Sequence, residues 1–273
     1  MITSTTNPKV KRVKRLQTDR RFRKRERAYV VEGIRWLRDL QAMAQLPTLI
    51  CYTARWEADP LIVQSTAPKV MVSDAVMAEM SDVETPPGVL MVVSMRDVAL
   101  PDRPNFLLIL DAIQTPGNLG TMLRTAAAAG VDGVLLAPGC VDPFNPKVLR
   151  GSMGAHLRLA VISAEWPQIA TLTNHLTVYS AVIHSDQPYT SVDWQQPSAL
   201  IIGNEANGIG LQAEQLTTGI TIPMASKTES LNAAIACGII LFEAARQRHN
   251  KTVSRSTYSN PSTRNFSRLS RTF

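Results

Sequence analysis

The feature that most constrains the fold is a regular alternation of apolar and amphipathic segments that begins at Phe106. Patterns of buried strands occur at "FLLILDAI", "GVLLAP", "LTVYSAVI", "ALIIGN" and "GITIPM". Helical patterns occur at "NLGTMLRTAAAAG", which ends at Gly130, at "NPKVLRGSMGAHL", and at the long closing segment "ESLNAAIACGIILFEAARQRH". Such alternation predicts an α/β fold with a mostly parallel sheet and helices on both faces. Ligands of these sheets bind at the carboxyl ends of the strands.

The first part of the chain predicts a smaller α/β unit over residues 1–95. The segment "NPKVKRVKRLQTDRRFRKRER" mixes basic residues with regularly spaced apolar ones and predicts one or two helices. Strand patterns at "AYVVEG", "TLICYT", "KVMVS" and "GVLMVVSM" follow, with helix patterns at "IRWLRDLQAM" and "DAVMAEMSD".

Composition sets the other boundaries. Prolines at 101 and 104 mark a linker over 96–104, so the larger domain covers 105–249. Residues 250–273 are rich in Ser, Thr and Arg and lack periodicity, which predicts a disordered basic tail.

Charge is concentrated at the two ends of the chain. Met1 to Arg38 holds thirteen Lys/Arg and three Asp/Glu, a net charge of +10, and Arg246 to Phe273 holds seven Lys/Arg and no acid. Because the whole chain carries +7, the part between them carries −10. An acidic body with basic ends is typical of a polyanion binder, although basic tails also serve solubility alone. The N-terminal basic residues fall in a patterned segment, which favours nucleic acid as the partner.

Cysteine usage and hydropathy limit the protein class. Cys51, Cys140 and Cys237 are far apart and form no CxxC pair, which argues against a disulfide framework or a zinc site. No apolar run is long enough to span a bilayer, and the N-terminus lacks the apolar core of a signal peptide. We therefore expect a cytoplasmic protein with no metal and no membrane partner.

The stretch "LIIGNEANGIG" places a glycine-flanked polar loop directly after a buried strand. Gly203 and Gly208 have the spacing of a phosphate-binding P-loop, but Ile209 stands where its lysine is required. The Gly-x-Gly-x-x-Gly fingerprint of a dinucleotide site is also missing from the first strand–helix turn, which argues against a dehydrogenase. The loop therefore indicates a ligand that is not held through phosphates.

Three polar segments follow predicted strand ends. They are "DAIQTPGNLGTMLRTA", with Asn118 and Arg124, the glycine loop with Glu205, and "IPMASKTESLNAAIACG", with Ser230 and Asn232. Polar side chains beside glycines at neighbouring strand ends predict a small-ligand site with one basic and one acidic group.

In this order, the three segments resemble the motifs of the SPOUT superfamily of RNA methyltransferases, in its SpoU/TrmH branch that methylates the ribose 2′-hydroxyl. "NLGTMLRTA" matches Asn-x-Gly-x-x-x-Arg-Thr-Ala, "GNEANG" matches Gly-x-Glu-x-x-Gly, and "IPMASKTESLN" matches Ile-Pro-Met followed by Ser-Leu-Asn. "NPKVLRGSMGA" is also similar to the family, and the likeness covers residues 105–249. The basic N-terminal unit resembles the family's RNA-substrate domain.

The resemblance implies a catalytic domain with a deep trefoil knot, an exception to the rule against threaded chains. The knotted loops would hold S-adenosyl-L-methionine. Gly203 would admit the adenosine close to the backbone, and Ile222, Met224 and Leu231 would complete the cofactor site. The resemblance also implies a homodimer and an RNA substrate, with ribosomal RNA favoured over transfer RNA because the N-terminal domain is separate. A transfer-RNA 2′-O-methyltransferase and a non-catalytic RNA-binding protein of the same fold are the alternatives.

The implied reaction is in-line attack of a ribose 2′-hydroxyl on the activated methyl group, so catalysis consists of positioning and of removing one proton. Its candidate catalytic residues are Arg124, Asn118, Glu205, Ser230 and Asn232.

Some of these residues have alternative roles. The family resemblance offers Arg124 as the base, but a guanidinium stays protonated, so phosphate binding and orientation of the hydroxyl form the second hypothesis. Asn118 is also a candidate N-cap, and Ser230 and Asn232 are candidate caps of the last helix. Ser152 in "RGSMGAH" is a candidate substrate contact.

Overall fold

The computed structural model describes residues 1–225 and 230–256. Its named strands form two sheets, one of four strands and one of six. The smaller sheet has the order β1-β4-β2-β3 and consists of β1 (Ala28–Glu32), β2 (Leu49–Tyr52), β3 (Lys69–Met71) and β4 (Val89–Ser94). The helices of this part of the chain are α1 (Pro8–Thr18), α2 (Arg20–Glu26), α3 (Ile34–Ala42), α4 (Pro60–Gln64) and α5 (Asp74–Met80).

One residue divides the basic N-terminal segment into two helices. Asp19 has an extended backbone, so α1 ends there, and its side chain accepts a hydrogen bond from the Phe22 amide at 3.0 Å to begin α2. The apolar residues Val10, Val13 and Leu16 form the buried face of α1. The basic residues thus lie on folded helices, as their spacing predicts.

The larger sheet is parallel throughout and has the order β10-β8-β9-β5-β6-β7. Its strands are β5 (Phe106–Leu110), β6 (Gly133–Leu136), β7 (Ala160–Ser163), β8 (Thr177–Ala181), β9 (Ser198–Ile202) and β10 (Thr218–Ile220). Its helices are α6 (Pro116–Ala129), α7 (Pro146–Ser152), α8 (Trp166–Thr173), α9 (Leu211–Glu214) and α10 (Ala233–Ser256).

Both faces of the central strand β5 are buried. Leu108 and Leu110 pack in one apolar cluster with residues of α6 and α10, whereas Leu107 and Ile109 pack in another with residues of α8. The predicted fold class, a mostly parallel sheet covered on both faces, is therefore confirmed.

The structure differs from the sequence predictions at several element ends. It adds α4, β7, α8 and α9, which are short segments with too few residues to establish a periodic pattern. The "GITIPM" strand is only Thr218–Ile220, and the last helix begins at Ala233 rather than Ser230. Residues 250–256, predicted to be disordered, continue α10 because neither glycine nor proline interrupts them. The rest of the predicted tail, 257–273, lies outside the described residues.

In the described part of the chain, no helix is long and apolar enough to cross a membrane. Residues 96–104, the predicted linker, connect β4 of the smaller sheet to β5 of the larger one.

Candidate active site

The site lies where the neighbouring strands β5 and β9 end. Leu110 and Ile202 are paired residues at the ends of these strands, so the loops that begin at Asp111 and Gly203 start side by side. The buried carboxylate of Asp111 accepts a hydrogen bond from the Gly210 amide at 2.7 Å. These contacts join the first polar segment to the glycine loop.

The glycine loop closes on itself. Asn204 and Gly208 exchange two backbone hydrogen bonds of 2.8 and 3.0 Å, and the Asn204 Oδ1 accepts from the amides of Ala206 and Asn207. Gly208 has φ +70°, which disfavours other residues. A Cβ on Gly203 would overlap the Gly208 carbonyl group and lie 2.5 Å from the Ile209 nitrogen. Glycine is therefore required at 203 by close backbone packing and favoured at 208 by the left-handed φ.

A chain of side-chain hydrogen bonds links the three predicted polar segments. Asn118 Nδ2 donates to Glu205 Oε1 at 2.9 Å, and Asn232 Nδ2 donates to Asn118 Oδ1 at 3.2 Å. The Asn232 Oδ1 also accepts from the amides of Ala234 and Ile235, so this residue caps α10. We call Asn118, Glu205 and Asn232 the amide–carboxylate chain.

Glu205 is held in its ionised form. Partial burial acts to raise the pKa of Glu205, but hydrogen bonds from the Asn118 side chain, the Thr115 hydroxyl and nearby backbone amides outweigh it, and the net pKa is lowered. The amide–carboxylate chain therefore carries one negative charge at neutral pH, where α6 and α10 begin beside the glycine loop.

A cavity of about 800 Å³ opens beside this chain. All four predicted cofactor residues line it, together with three of the five predicted catalytic residues: Gly203, Ile222, Met224, Leu231, Glu205, Ser230 and Asn232. Its volume falls within the range of small-molecule sites. In residues 1–225 and 230–256, no group of three or more His, Cys, Asp or Glu side chains is arranged to hold a metal ion.

The other two predicted catalytic residues lie on α6, outside the cavity lining. The helix begins at Pro116, so Asn118 is its third residue and the prediction that it is the N-cap is wrong; Thr115 occupies that position. Arg124 lies farther along α6, is exposed, and has no hydrogen bond or ion pair to any residue that the structure describes. The structure thus joins Asn118 to the site by contact and leaves the Arg124 guanidinium available to an external group.

Comparison with known proteins assigns the chain to a family. Residues 105–242 match the SpoU rRNA Methylase family, and residues 7–91 match the MRM3-like substrate binding domain. The chain belongs to the SpoU rRNA methylase family. It is 38% identical to "Uncharacterized tRNA/rRNA methyltransferase slr1673" of Synechocystis, over 90% of this chain and 94% of that protein.

Two further relatives carry more specific names. The SpoU-family chain is 31% identical to "23S rRNA (guanosine(2553)-2'-O)-methyltransferase RlmP" of Bacillus subtilis, over 88% of this chain and 97% of that protein. The crystal structure of the SpoU methyltransferase AviRb from Streptomyces viridochromogenes, in complex with AdoMet, superposes with a TM-score of 0.82 at 26% identity. That match covers 89% of this chain and 98% of AviRb.

One predicted substrate contact of this SpoU-family chain is wrong. Ser152 is only 1% exposed, and its hydroxyl bonds to the Leu149 carbonyl and to His156 Nδ1. His156 is itself buried, and its Nε2 bonds to the Pro143 carbonyl. Burial lowers the pKa of His156 to about 4, so the ring is neutral at pH 7. Both side chains hold the turn after α7.

Several residues of the site were not predicted from the sequence. Asp111 and Asn204 hold the loops together, and His184 and Thr221 line the cavity. An acid directly after the buried strand "FLLIL" was the available signal for Asp111. Ala112 has φ +52° and offers its carbonyl to Asn204 Nδ2 at 2.8 Å; nothing in an alanine indicates that strained conformation.

Proposed function

We propose that this SpoU-family chain transfers a methyl group from S-adenosyl-L-methionine to a ribose 2′-hydroxyl in RNA, and that ribosomal RNA is its substrate. The observation that carries the proposal is the amide–carboxylate chain at the rim of the cavity, because it joins all three family motifs in one place. The name of the Bacillus subtilis relative, a 23S rRNA 2′-O-methyltransferase, supports the substrate and the reaction.

The chemistry of the cavity fits the cofactor. Among its lining residues, within the described ranges, there is no Lys or Arg, while Glu205 and Glu214 supply carboxylates. Such a lining disfavours a ligand with phosphates and suits one with a cationic sulfonium and an adenosine. Gly203, Ile222, Met224 and Leu231 would hold the cofactor, which supplies an electrophilic methyl group when bound.

The other predicted residues have two roles, positioning of the loops and binding of the RNA substrate. Asn118, Glu205 and Asn232 keep the three loops in one arrangement, so that the cavity is formed before substrate arrives. Arg124 is exposed and carries a permanent charge without an acidic partner among the described residues. Its role is to bind a phosphate of the target nucleotide and orient the 2′-hydroxyl, rather than to accept the proton.

The N-terminal unit supplies the RNA-binding surface. Five basic side chains of α1 and α2 are exposed and lack an acidic partner in the described part of the chain: Lys9, Lys11, Arg20, Arg21 and Lys24. Phosphate contacts of this kind give sequence-independent, salt-sensitive affinity. RNA binding by this unit agrees with the match of residues 7–91 to the MRM3-like substrate binding domain.

A homodimer completes the proposal. Ile235 and Phe242 stand seven residues apart on α10, on one face, and are 57% and 54% exposed. Exposed apolar side chains in line on a helix are typical of an association surface, and a second copy would cover them near the cavity residue Leu231. Phe242→Asp should shift the mass measured by analytical ultracentrifugation from dimer to monomer. An unchanged sedimentation profile would contradict this surface.

Two further expectations belong to the proposal. The trefoil knot implied by the family motifs would involve the loops after β9 and β10, which form the cavity. A cytoplasmic location is supported by Cys51, Cys140 and Cys237, which are free and buried.

The deciding experiment uses purified protein, methyl-labelled S-adenosylmethionine and total RNA from cells that lack this protein, followed by alkaline hydrolysis. A methylated 2′-oxygen cannot attack the neighbouring phosphate, so label should appear in alkali-resistant dinucleotides of ribosomal RNA. Label confined to mononucleotides would mean base methylation and would refute the proposed target atom.

The matched control is Arg124→Ala with the same RNA. It should bind the cofactor as the wild type does and transfer no measurable label. Cofactor binding by the wild type with no label in any RNA would favour the non-catalytic alternative.

A further inference from the structure

Arg23 departs from the role that its charge predicts. It lies among the basic residues of α2, yet it is only 3% exposed, so its side chain cannot contact RNA. Its Nη1 donates to the carbonyls of Leu16 and Gln17 at 2.7 and 3.0 Å, at the end of α1. Its Nε and Nη2 both donate to one oxygen of Asp142, at 3.0 and 2.7 Å. All three nitrogens of the guanidinium are therefore used inside the protein.

Asp142 belongs to the part of the chain that forms the six-stranded sheet. It follows β6, is 7% exposed, and its second oxygen accepts from the Phe144 amide at 3.1 Å. The Phe144 ring in turn lies 5.0 Å from Tyr29 of β1 and 5.4 Å from His156. The ion pair therefore lies in a packed junction between the RNA-binding unit and the methyltransferase domain.

On the side of the methyltransferase domain, the side chains of these junction contacts all lie in residues 142–158. Leu149 and Leu157 pack in the same apolar cluster as Trp36 and Leu37 of α3. Two more ion pairs cross the junction, Arg150 with Asp82 at 2.7 Å and Arg158 with Asp39 at 3.7 Å, but both are partly exposed. Exposed pairs contribute little, so the buried pair and the apolar contacts define the arrangement.

The same segment reaches the active site. Helix α7, within it, packs closely on α6: a Cβ on Gly120 would lie 2.9 Å from Gly151 Cα and from the Val148 carbonyl oxygen. Gly120 is two residues from Asn118, which holds the glycine loop through Glu205. A continuous set of contacts thus runs from Arg23 through Asp142 and α7 to α6, the helix that carries Asn118 and Arg124.

We propose that Arg23 and Asp142 are positioning residues for methyl transfer: they fix the RNA-binding unit at one orientation relative to α6, so that bound RNA presents its 2′-hydroxyl to the cavity. The inference rests on the proposed function. Buried ion pairs add little net stability compared with apolar pairs of similar volume, but they can specify one arrangement among several. Arg23 suits this task because its planar fork makes two bonds to Asp142 and two to α1 carbonyls from three separate nitrogens, whereas a lysine has a single nitrogen with three donors.

The test replaces both charges, Arg23→Met with Asp142→Leu, so that no charge is left buried without a partner. We expect the double variant to fold with a melting temperature within about 3 °C of the wild type. Its dissociation constants for S-adenosylmethionine and for 23S rRNA should stay within about twofold, while the single-turnover rate of methylation falls at least about tenfold. A purely structural role would instead reduce binding and rate together, in proportion to the folded fraction.

A wild-type rate in the folded double variant would overturn the proposal. If that variant does not fold, Arg23→Lys decides: it keeps a charge opposite Asp142, and its rate should fall at least about threefold at unchanged affinities. A wild-type rate for Arg23→Lys would then also overturn it. The matched control is Arg158→Met with Asp39→Leu, at the exposed pair across the same junction, which should leave all three quantities within about twofold.

A readout without RNA separates this inference from the proposed function. Hydrogen exchange of the α6 amides, measured in the absence of substrate, should be faster in the double variant than in the wild type. Unchanged exchange in α6 would refute the coupling, whatever the substrate. Absence of methyl transfer by the wild type would refute only the proposed function.

Discussion

Gly203 offers a sharp test of how the glycine loop forms the cavity. In Gly203→Ala, the new Cβ would meet the Gly208 carbonyl group and lie 2.5 Å from the Ile209 nitrogen, and these are backbone atoms that cannot swing aside. Relief requires separating Asn204 from Gly208, which breaks one or both of their backbone hydrogen bonds.

The structure allows an estimate of the cost. Overpacking of this kind destabilises a protein by about 1–3 kcal/mol. We expect the loop to open, with the affinity for S-adenosylmethionine reduced about tenfold to hundredfold, which corresponds to about 1.4–2.7 kcal/mol. The melting temperature should fall by about 3–8 °C for a chain of this size. Isothermal titration calorimetry and thermal unfolding measure the two effects.

Gly208→Ala is the matched control within the same loop. A Cβ there meets no atom within 4 Å, so the only cost is the left-handed φ of +70°, about 1 kcal/mol. Its cofactor affinity should therefore fall by less than about fivefold. Wild-type affinity in Gly203→Ala, or a larger loss in Gly208→Ala, would refute the steric reasoning.

Three other outcomes follow from the structure. Asn118→Asp places a second carboxylate against Glu205, so methyl transfer should fall at least about tenfold at pH 7 and recover in part as the pH is lowered; a flat pH–rate profile would contradict this. Arg124→Lys should keep cofactor affinity and lose most of kcat, because a point charge cannot bind phosphate as a planar fork does; an unchanged kcat would exclude that role. Burial lowers the pKa of His156 to about 4, so the unfolded chain binds a proton at this residue at a higher pH than the folded protein does. The contribution of His156 to the free energy of unfolding is therefore complete above pH 6.5 and declines by about 3 kcal/mol between pH 6.5 and pH 4. Denaturant unfolding at pH 7 and pH 4 should show this loss in the wild type and a smaller one in His156→Phe; equal losses would refute it.

The sequence by itself determined the architecture of the larger sheet and part of the lining of the cavity. Apolar runs and helical spacing from Phe106 onward predicted a parallel sheet, because side-chain periodicity is a local property of the chain. The second and third motifs contain seven predicted residues that line one cavity, and Asn118 of the first motif contacts two of them, since the carboxyl ends of neighbouring parallel strands meet at one edge.

Only the tertiary structure decided what those residues contact. The sequence offered Asn118 both as a catalytic residue and as a helix cap without indicating its partners; folding brings it to Glu205, 87 residues away, and to Asn232, 114 residues away. The sequence places Arg23 in the basic segment that was expected to bind nucleic acid, whereas folding buries it against Asp142, 119 residues away. The physical reason is the same in both cases: burial and partners of a polar side chain depend on contacts between distant segments, which local pattern does not encode.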